Sequence, residues 1–397
     1  MNKIETEYCI IGAGVIGLAV ARELSLQKKK KIIVCEKEER AGLHASGRNS
    51  GVLHAGIYYT AGSMKANTCI EGNRLMKSFC KSKGVLVRET GKVIVAKNSK
   101  ELQTLHMLET RAKNNGVEVK LINATQLADI EPCAKTHQEA LFSPQTAVVD
   151  PKVVMQALYD DCVQRGVKVL FNTPFHRFEN ENAIHAGNYS IQFEKLINCA
   201  GAYSDIIAHS RGLAEHLTLI PFKGIYAKLK KTSALSVKGN IYPVPDVRNP
   251  FLGVHFTANP YGDVYIGPTA MPVFGREHYR LLRGLGVESF DILLKDALLF
   301  FKNSSFRSIA ASEPKKYIPH FFYRDAKELV KKLSYSDIEK TTKAGIRPQL
   351  VDWTKKELVM DFCMYHDAYT VHVLNAISPA FTSSLYFAKI IVDRYCR

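Results

Sequence analysis

Three glycines spaced G-x-G-x-x-G directly behind an apolar run, Cys9-Ile10-Ile11-Gly12-Ala13-Gly14-Val15-Ile16-Gly17, constrain this chain more than any other feature. The residues from Tyr8 to Ile11 read as a buried strand feeding a tight turn at Gly12. Gly14 then lets the backbone approach a pyrophosphate, and Gly17 lets a helix from Val15 to about Gln27 pack closely on the sheet. Free N–H groups and the dipole at that helix N-terminus, with Val15 and Ile16 in its first turn, hold the diphosphate. A second apolar run ends at Glu36, nineteen residues after Gly17, where a carboxylate accepts hydrogen bonds from a ribose. Strand, turn, helix, strand and acid in this register point to an α/β fold around FAD or NAD.

At 397 residues the chain exceeds what one core supports, so two domains are expected. No run of apolar residues approaches the ~18 needed for a membrane span, and no hydrophobic anchor is apparent. The first strand begins close to Met1, which leaves no room for a signal or transit peptide; cytoplasmic placement is the expectation. Nine cysteines include no C-x-x-C pair and no histidine spaced to complete a metal site, so reduced thiols and no metal are expected. The zinc-protease, serine-hydrolase and P-loop signatures are absent.

The formal charge of +16 suits a polyanionic partner. Its densest run, Lys28 to Lys31, follows the first helix and precedes the second strand, on the sheet edge opposite the strand ends where a cofactor binds. It reads as solvated surface or as a contact with an anionic membrane surface. Nucleic acid is not expected, because no nucleic-acid-binding motif accompanies the charge.

Further along, the nucleotide-binding fold is interrupted and resumed. A polar loop covers Glu38 to Asn49, a helix-like stretch runs from Ser63 to Lys83, and strand-like Lys92 to Ala96 leads to a helix from Ser99 to Asn114. Asp150-Pro151 has the pattern of an N-cap with proline at the first helical position. Lys195 to Cys199 is a strand ending in a second small-residue turn, Ala200-Gly201-Ala202. Such a return is expected where FAD lies extended through a fold, and a simple NAD domain does not require it. Leu219 to Pro268 is β-rich, 280 to 340 reads as helices, and a final helix follows Ser378-Pro379. The expected architecture is α/β: a discontinuous Rossmann-like FAD-binding domain (1–85, 150–215 and 344–397) with a second, β-rich α+β substrate domain (86–149 and 216–343).

The loop Ser46-Gly47-Arg48-Asn49-Ser50-Gly51-Val52-Leu53-His54-Ala55-Gly56-Ile57-Tyr58-Tyr59 resembles the flavin-contacting loop of the L-2-hydroxyglutarate oxidases and dehydrogenases, FAD enzymes of the D-amino-acid-oxidase-like superfamily. Matching segments follow at Pro221 to Gly224, Ile241 to Asp246, Phe251 to Thr257, Gly345 to Gln349 and Asn375 to Ala380. The chain departs at Lys223, where arginine is expected, and at Ile377, where the family has proline. The resemblance implies non-covalent FAD, a small 2-hydroxy dicarboxylate as substrate, and electrons passed to a quinone, a carrier or oxygen. The rival readings are an amino-acid or glycerol-3-phosphate oxidoreductase of the same fold, and a membrane-associated protein that uses FAD structurally.

Oxidising a 2-hydroxy acid requires a base for the hydroxyl proton while hydride leaves the α-carbon. The resemblance places His54 against the flavin and His255 on the substrate side, and either suits that role. Related flavoproteins attach flavin covalently through a histidine placed like His54, which gives this residue a second possible job. Arg347 resembles the arginine of a carboxylate-binding turn, and its planar fork suits a carboxylate. Lys223 and Tyr226 are candidates for a second carboxylate. Lys37, Asn49, Ser50, Gly51, His54, Phe175, Ala200, Gly201, Arg347, Ser378, Pro379 and Ala380 join the glycine turn and Glu36 as expected cofactor contacts, with the final helix dipole at the flavin's N1 and O2 edge.

Overall fold

The computed structural model describes residues 2–27, 30–246, 251–279, 287–303, 306–307, 310 and 313–396. Lys28 and Lys29 of the basic run, and parts of the 280–340 stretch, lie outside the described residues.

The first strand, Asn2–Ile11, runs longer than its apolar core because its N-terminal half still pairs with Tyr189–Asn198. It sits at the centre of an eight-stranded sheet in the order Met364–His366, Thr370–Val373, Tyr189–Asn198, Asn2–Ile11, Ile32–Cys35, Lys168–Leu170, with a hairpin, Phe175–Asn180 and Ala183–Ala186, off one strand. The inner strands are parallel, so their apolar runs are buried on both faces. One face packs on the helices Val15–Ser25, Met64–Ser82, Pro151–Gln164 and Ala380–Tyr395 through Ile10, Leu18, Met76, Leu158 and Ile391. Asp150 caps the third of these helices by accepting from Lys152 N, with Pro151 in the first turn, as its sequence pattern predicts.

A ten-stranded, mostly antiparallel sheet forms the second layer, with Leu217–Leu229 hydrogen-bonded along its length to Ile338–Asp352. His255–Ala258, Asn240–Pro243 and Lys92–Val95 continue it toward Lys120–Asn123. The strand Ile338–Asp352 crosses the boundary expected at 343/344, and Glu357–Leu358 pairs with it. A hydrogen-bonded strand is no place for a domain to end, so we propose that the cofactor unit resumes after Leu358.

Of the 280–340 stretch, Val287–Lys302 and Pro319–Lys327 are helices with 3-10 turns at Pro314–Tyr317 and Tyr335–Asp337. Among the described residues no helix is long and apolar enough to cross a membrane.

Candidate active site

The parallel strands of the first sheet end at Ile11, Cys35 and Asn198, and their C-terminal crest forms one wall of a cavity of about 960 Å³. Gly12, with φ of +100°, could not carry a side chain: a Cβ would stand 2.6 Å from Cys199 O. At Gly17 a Cβ would stand 1.9 Å from Gly12 O, so this glycine sets how closely helix and turn approach. Gly14 differs, since a Cβ there meets only Ser46 Oγ, at 3.2 Å, on the cavity wall. Ser46 Oγ accepts from Val15 N at 2.9 Å and so caps the first helix, whose own N-cap residue, Gly14, has no side chain. Glu36 accepts from Ala13 N at 2.7 Å and from Glu38 N at 3.0 Å, which leaves each carboxylate oxygen an acceptor site for a ribose.

The opposite wall belongs to the second sheet. Phe222, Gly224 and Tyr226 line the cavity from alternate positions of Leu217–Leu229. Arg347, directly opposite Phe222 in the antiparallel register, lines it from the neighbouring strand. The Arg347 guanidinium lies 4.8 Å from the centre of the Phe251 ring, and burial brings its pKa down to about 10, where it remains a cation. His255 Nδ1 lies 2.8 Å from Gly253 O and its ring packs on Tyr242 at 3.9 Å. A carbonyl only accepts, so Nδ1 carries the proton and Nε2 is left with the lone pair.

His54 is held through its backbone: its N–H donates to Thr382 Oγ1 at 3.1 Å and its carbonyl accepts from Asn73 Nδ2 at 3.0 Å. The imidazole reaches the cavity, while its Nδ1 is buried without a hydrogen-bond partner among the described residues. Burial, the dominant cause in both, pushes His54 down to about 3 and His255 to about 4. Both rings are therefore neutral at physiological pH. Lys92, behind the cavity wall, contributes to both shifts, and its ammonium packs 4.4 Å from the Tyr58 ring and 5.0 Å from that of Tyr242.

Most residues expected at the site meet at this one cavity: Gly12, Gly14, Val15, Ile16, Glu36, Lys37, Asn49, Ser50, His54, Phe175, Ala200, Gly201, Tyr226, His255, Arg347, Ser378, Pro379 and Ala380 all line it. Lys223 does not. Strand side chains alternate, so Lys223, between Phe222 and Gly224, faces away from the cavity, and we correct its expected substrate role. Gly17 and Gly51 are also absent from the lining; a Cβ at Gly51 would stand 2.1 Å from Val149 O, so this glycine serves chain packing. Arg347 lies within a fifteen-residue strand, Ile338–Asp352, rather than in a turn, because its flanking Pro348 is paired opposite Pro221. The terminal helix Ala380–Tyr395 has Pro379 at its N-cap position and no side-chain cap, so Ser378 is not its cap. Sequence reasoning missed Lys65 and Arg276, and gave Ser46 and Tyr58 no role of their own within the flavin-contacting loop; all four line the cavity.

One group of metal-type ligand atoms occurs among the described residues, Glu38, His44 and Glu277. The Lys37 ammonium ion-pairs with both glutamates and supplies the local positive charge.

A family model for FAD dependent oxidoreductases matches residues 7–394. This chain belongs to that family. Among the relatives of this flavoprotein are the mitochondrial L-2-hydroxyglutarate dehydrogenase of Caenorhabditis briggsae, 37% identical over 98% of this chain and 92% of that protein, and the L-2-hydroxyglutarate dehydrogenase of Escherichia coli K12, 32% identical over 98% and 92%. The FAD-bound L-alpha-glycerophosphate oxidase of Mycoplasma pneumoniae superposes with a TM-score of 0.78 at 22% identity, over 98% of this chain and 94% of that one, and shares the fold.

The flavoprotein is an oxidoreductase that uses FAD, and the crest residues fit it. The backbone at Gly14 faces the cavity without a side chain, the helix behind it has no acidic residue in its first turn, and Glu36 retains acceptor sites. These are the groups that a diphosphate and a ribose require.

Proposed function

We propose that this flavoprotein oxidises L-2-hydroxyglutarate to 2-oxoglutarate and passes the electrons to a quinone, a carrier or oxygen. The observation that carries the reading is the meeting, in one cavity, of a half-buried arginine and two neutral histidines beside the flavin-binding crest. The names of the relatives support this choice of substrate.

FAD supplies a two-electron centre that accepts hydride. The chain does the rest: Arg347 holds the α-carboxylate through its planar fork, which fixes the direction of the α-hydrogen. His255 takes the hydroxyl proton at Nε2, because Gly253 O holds the proton on Nδ1. His54 lines the same cavity, and its neutral imidazole is the second candidate for that proton. Removal of the hydroxyl proton and loss of hydride from the α-carbon together leave the 2-oxo acid.

The finer partner reading is an anionic membrane surface holding a quinone. The helix Val287–Lys302 exposes Phe290, Leu294, Leu298 and Phe301 along one stripe, with Phe290 64% and Phe301 72% exposed. An apolar stripe on a basic protein suits the bilayer interface, and it supplies the anchor that no apolar run revealed. On its inner side Leu299 packs with Phe222 and Phe251, which line the cavity.

Anaerobic mixing of the holoenzyme with L-2-hydroxyglutarate, D-2-hydroxyglutarate, glycerol 3-phosphate and amino acids tests the reading. Rapid bleaching of the flavin by the L enantiomer alone is expected. Bleaching by another donor, or equal rates with the D form, would reject it; no bleaching with any donor would favour a structural flavin. Acid precipitation should release all flavin from the polypeptide, and an adduct on His54 would contradict non-covalent attachment.

A further inference from the structure

Lys65 stands where a helix least favours a cation. It is the second residue of Met64–Ser82, at the positive end of the helix dipole, and it is buried at 7% exposure. Asp361, the carboxylate whose charge acts on it, is engaged by backbone: it accepts from the N–H groups of Met64, Lys65 and Phe362, at 2.8, 3.0 and 2.8 Å. Among the described residues the Lys65 ammonium has a carbonyl, Met360 O, and the face of Phe362 at 5.9 Å, and no carboxylate ion pair. Burial first, and then the like charge of Arg347, push it down to about 7, while Asp361 acts in the opposite direction. Two cations are thus placed in one another's field on the wall of one cavity.

Met360 O answers one of the three donors of the Lys65 ammonium, so an anion entering the cavity can take the others. The crest that suits the diphosphate lies at Gly14 and Ser46, on the first sheet; Lys65 instead couples to Arg347, on the second. Of the other cations on the cavity wall, Lys37 and Arg276 are ion-paired to carboxylates and Arg48 and Arg111 donate to the carbonyls of Leu43 and Tyr58; Lys65 is coupled to Arg347, so with Arg347 engaged by an α-carboxylate it is placed for a second carboxylate on the same molecule. Lys223, the sequence candidate for that task, faces away.

We propose that Lys65 binds the distal carboxylate of the dicarboxylic 2-hydroxy acid and so sets the preference for dicarboxylates over monocarboxylates. This rests on the substrate reading above. A point charge with three donors suits the mobile end of the substrate, while the arginine fork fixes the reacting end.

The test uses FAD-loaded wild type, Lys65→Met and Lys65→Arg, with Lys92→Met as the rival cation. L-2-hydroxyglutarate is compared with L-2-hydroxypentanoate, which carries a methyl group in place of the distal carboxylate. Flavin reduction is followed anaerobically, and binding of glutarate, which cannot be oxidised at an α-carbon, is read from the flavin spectrum. Lys65→Met should weaken L-2-hydroxyglutarate and glutarate by about 10- to 100-fold, the loss of one charge-assisted contact, and change L-2-hydroxypentanoate less than about threefold. Lys65→Arg should recover part of the loss, which separates lost charge from a disturbed helix. Equal losses on both substrates, no loss, or a selective loss only in Lys92→Met would overturn the assignment. If wild type is not reduced by L-2-hydroxyglutarate, the substrate reading fails by itself. The Lys65 assignment then stands only if glutarate still perturbs the flavin and Lys65→Met removes the effect; it falls if glutarate does not bind wild type.

Discussion

A histidine that takes a proton from an alcohol must enter the reaction neutral, and burial secures this for both His255 and His54. The hydrogen bond to Gly253 O distinguishes them by leaving His255 Nε2 as an acceptor. His255→Asn should therefore slow flavin reduction at saturating substrate by about 100- to 10,000-fold, measured by anaerobic stopped flow. A rate equal to that of the parent would remove His255 from the base role. The acid limb of kcat/KM should lie near His255's value of about 4, not near the ordinary 6.5. The sign for stability is the same. An unfolded histidine binds a proton below about 6.5 while the folded one does not until lower pH, so stability is full above that value and falls as the pH drops toward about 4. Arg347→Lys keeps the charge and loses the fork; it should raise KM by about tenfold or more, and an unchanged KM would deny it the α-carboxylate.

At the scale of elements, the three glycines of the turn perform different tasks. Gly17→Ala drives a Cβ to 1.9 Å from Gly12 O, backbone against backbone, so helix and strand must part. It should destabilise the protein by about 2 to 4 kcal/mol in chemical denaturation. At Gly14 a Cβ meets only the Ser46 hydroxyl, on the cavity wall, so the Gly14→Val apoprotein should keep near-parent stability while flavin binding is lost. Reversed outcomes, with Gly14→Val unfolded and Gly17→Ala yellow and stable, would show that the roles are misassigned. The long pairing of Leu217–Leu229 with Ile338–Asp352 works at the same scale: its register sets Arg347 opposite Phe222. Lys223, one residue on, is set on the other face by the same register.

Over the whole molecule the cavity is shared by the two sheets, and a buried ion pair joins its margins. Arg276 Nη1 and Nη2 contact Asp205 at 2.6 and 3.0 Å, and Asp205 also accepts from Leu219 N at 2.9 Å. Charge and shape also combine at this scale. In the proposed membrane contact, the net charge of +16 would draw the protein to anionic lipid over distances of about a Debye length, and the stripe on Val287–Lys302 would then enter the interface. Sedimentation should show binding to anionic vesicles that weakens with salt and little binding to neutral ones. Replacing Phe290, Leu294, Leu298 and Phe301 by serine should remove the salt-resistant part. Full binding by that variant, or no binding of wild type to anionic vesicles at low salt, would reject the surface.

Local rules made the cofactor crest legible in the sequence. A glycine turn, a helix start and an acid at the end of the next strand interact over short stretches of chain, and the spacing from Gly12 to Glu36 already encodes their geometry. The family motifs likewise brought His54, His255 and Arg347 to notice. What they could not reveal was direction. Lys223 and Tyr226 sit on one strand, yet only Tyr226 faces the cavity, because pairing across more than a hundred residues sets which side of the sheet each takes. Lys65 reads in the sequence as an ordinary helical lysine; it becomes a buried cation beside Arg347 only when Asp361, nearly three hundred residues away, caps its helix. Periodicity and turn chemistry act between near neighbours and so are written in the chain. Burial, charge coupling and the facing of side chains depend on long-range packing, and the tertiary structure alone decided them.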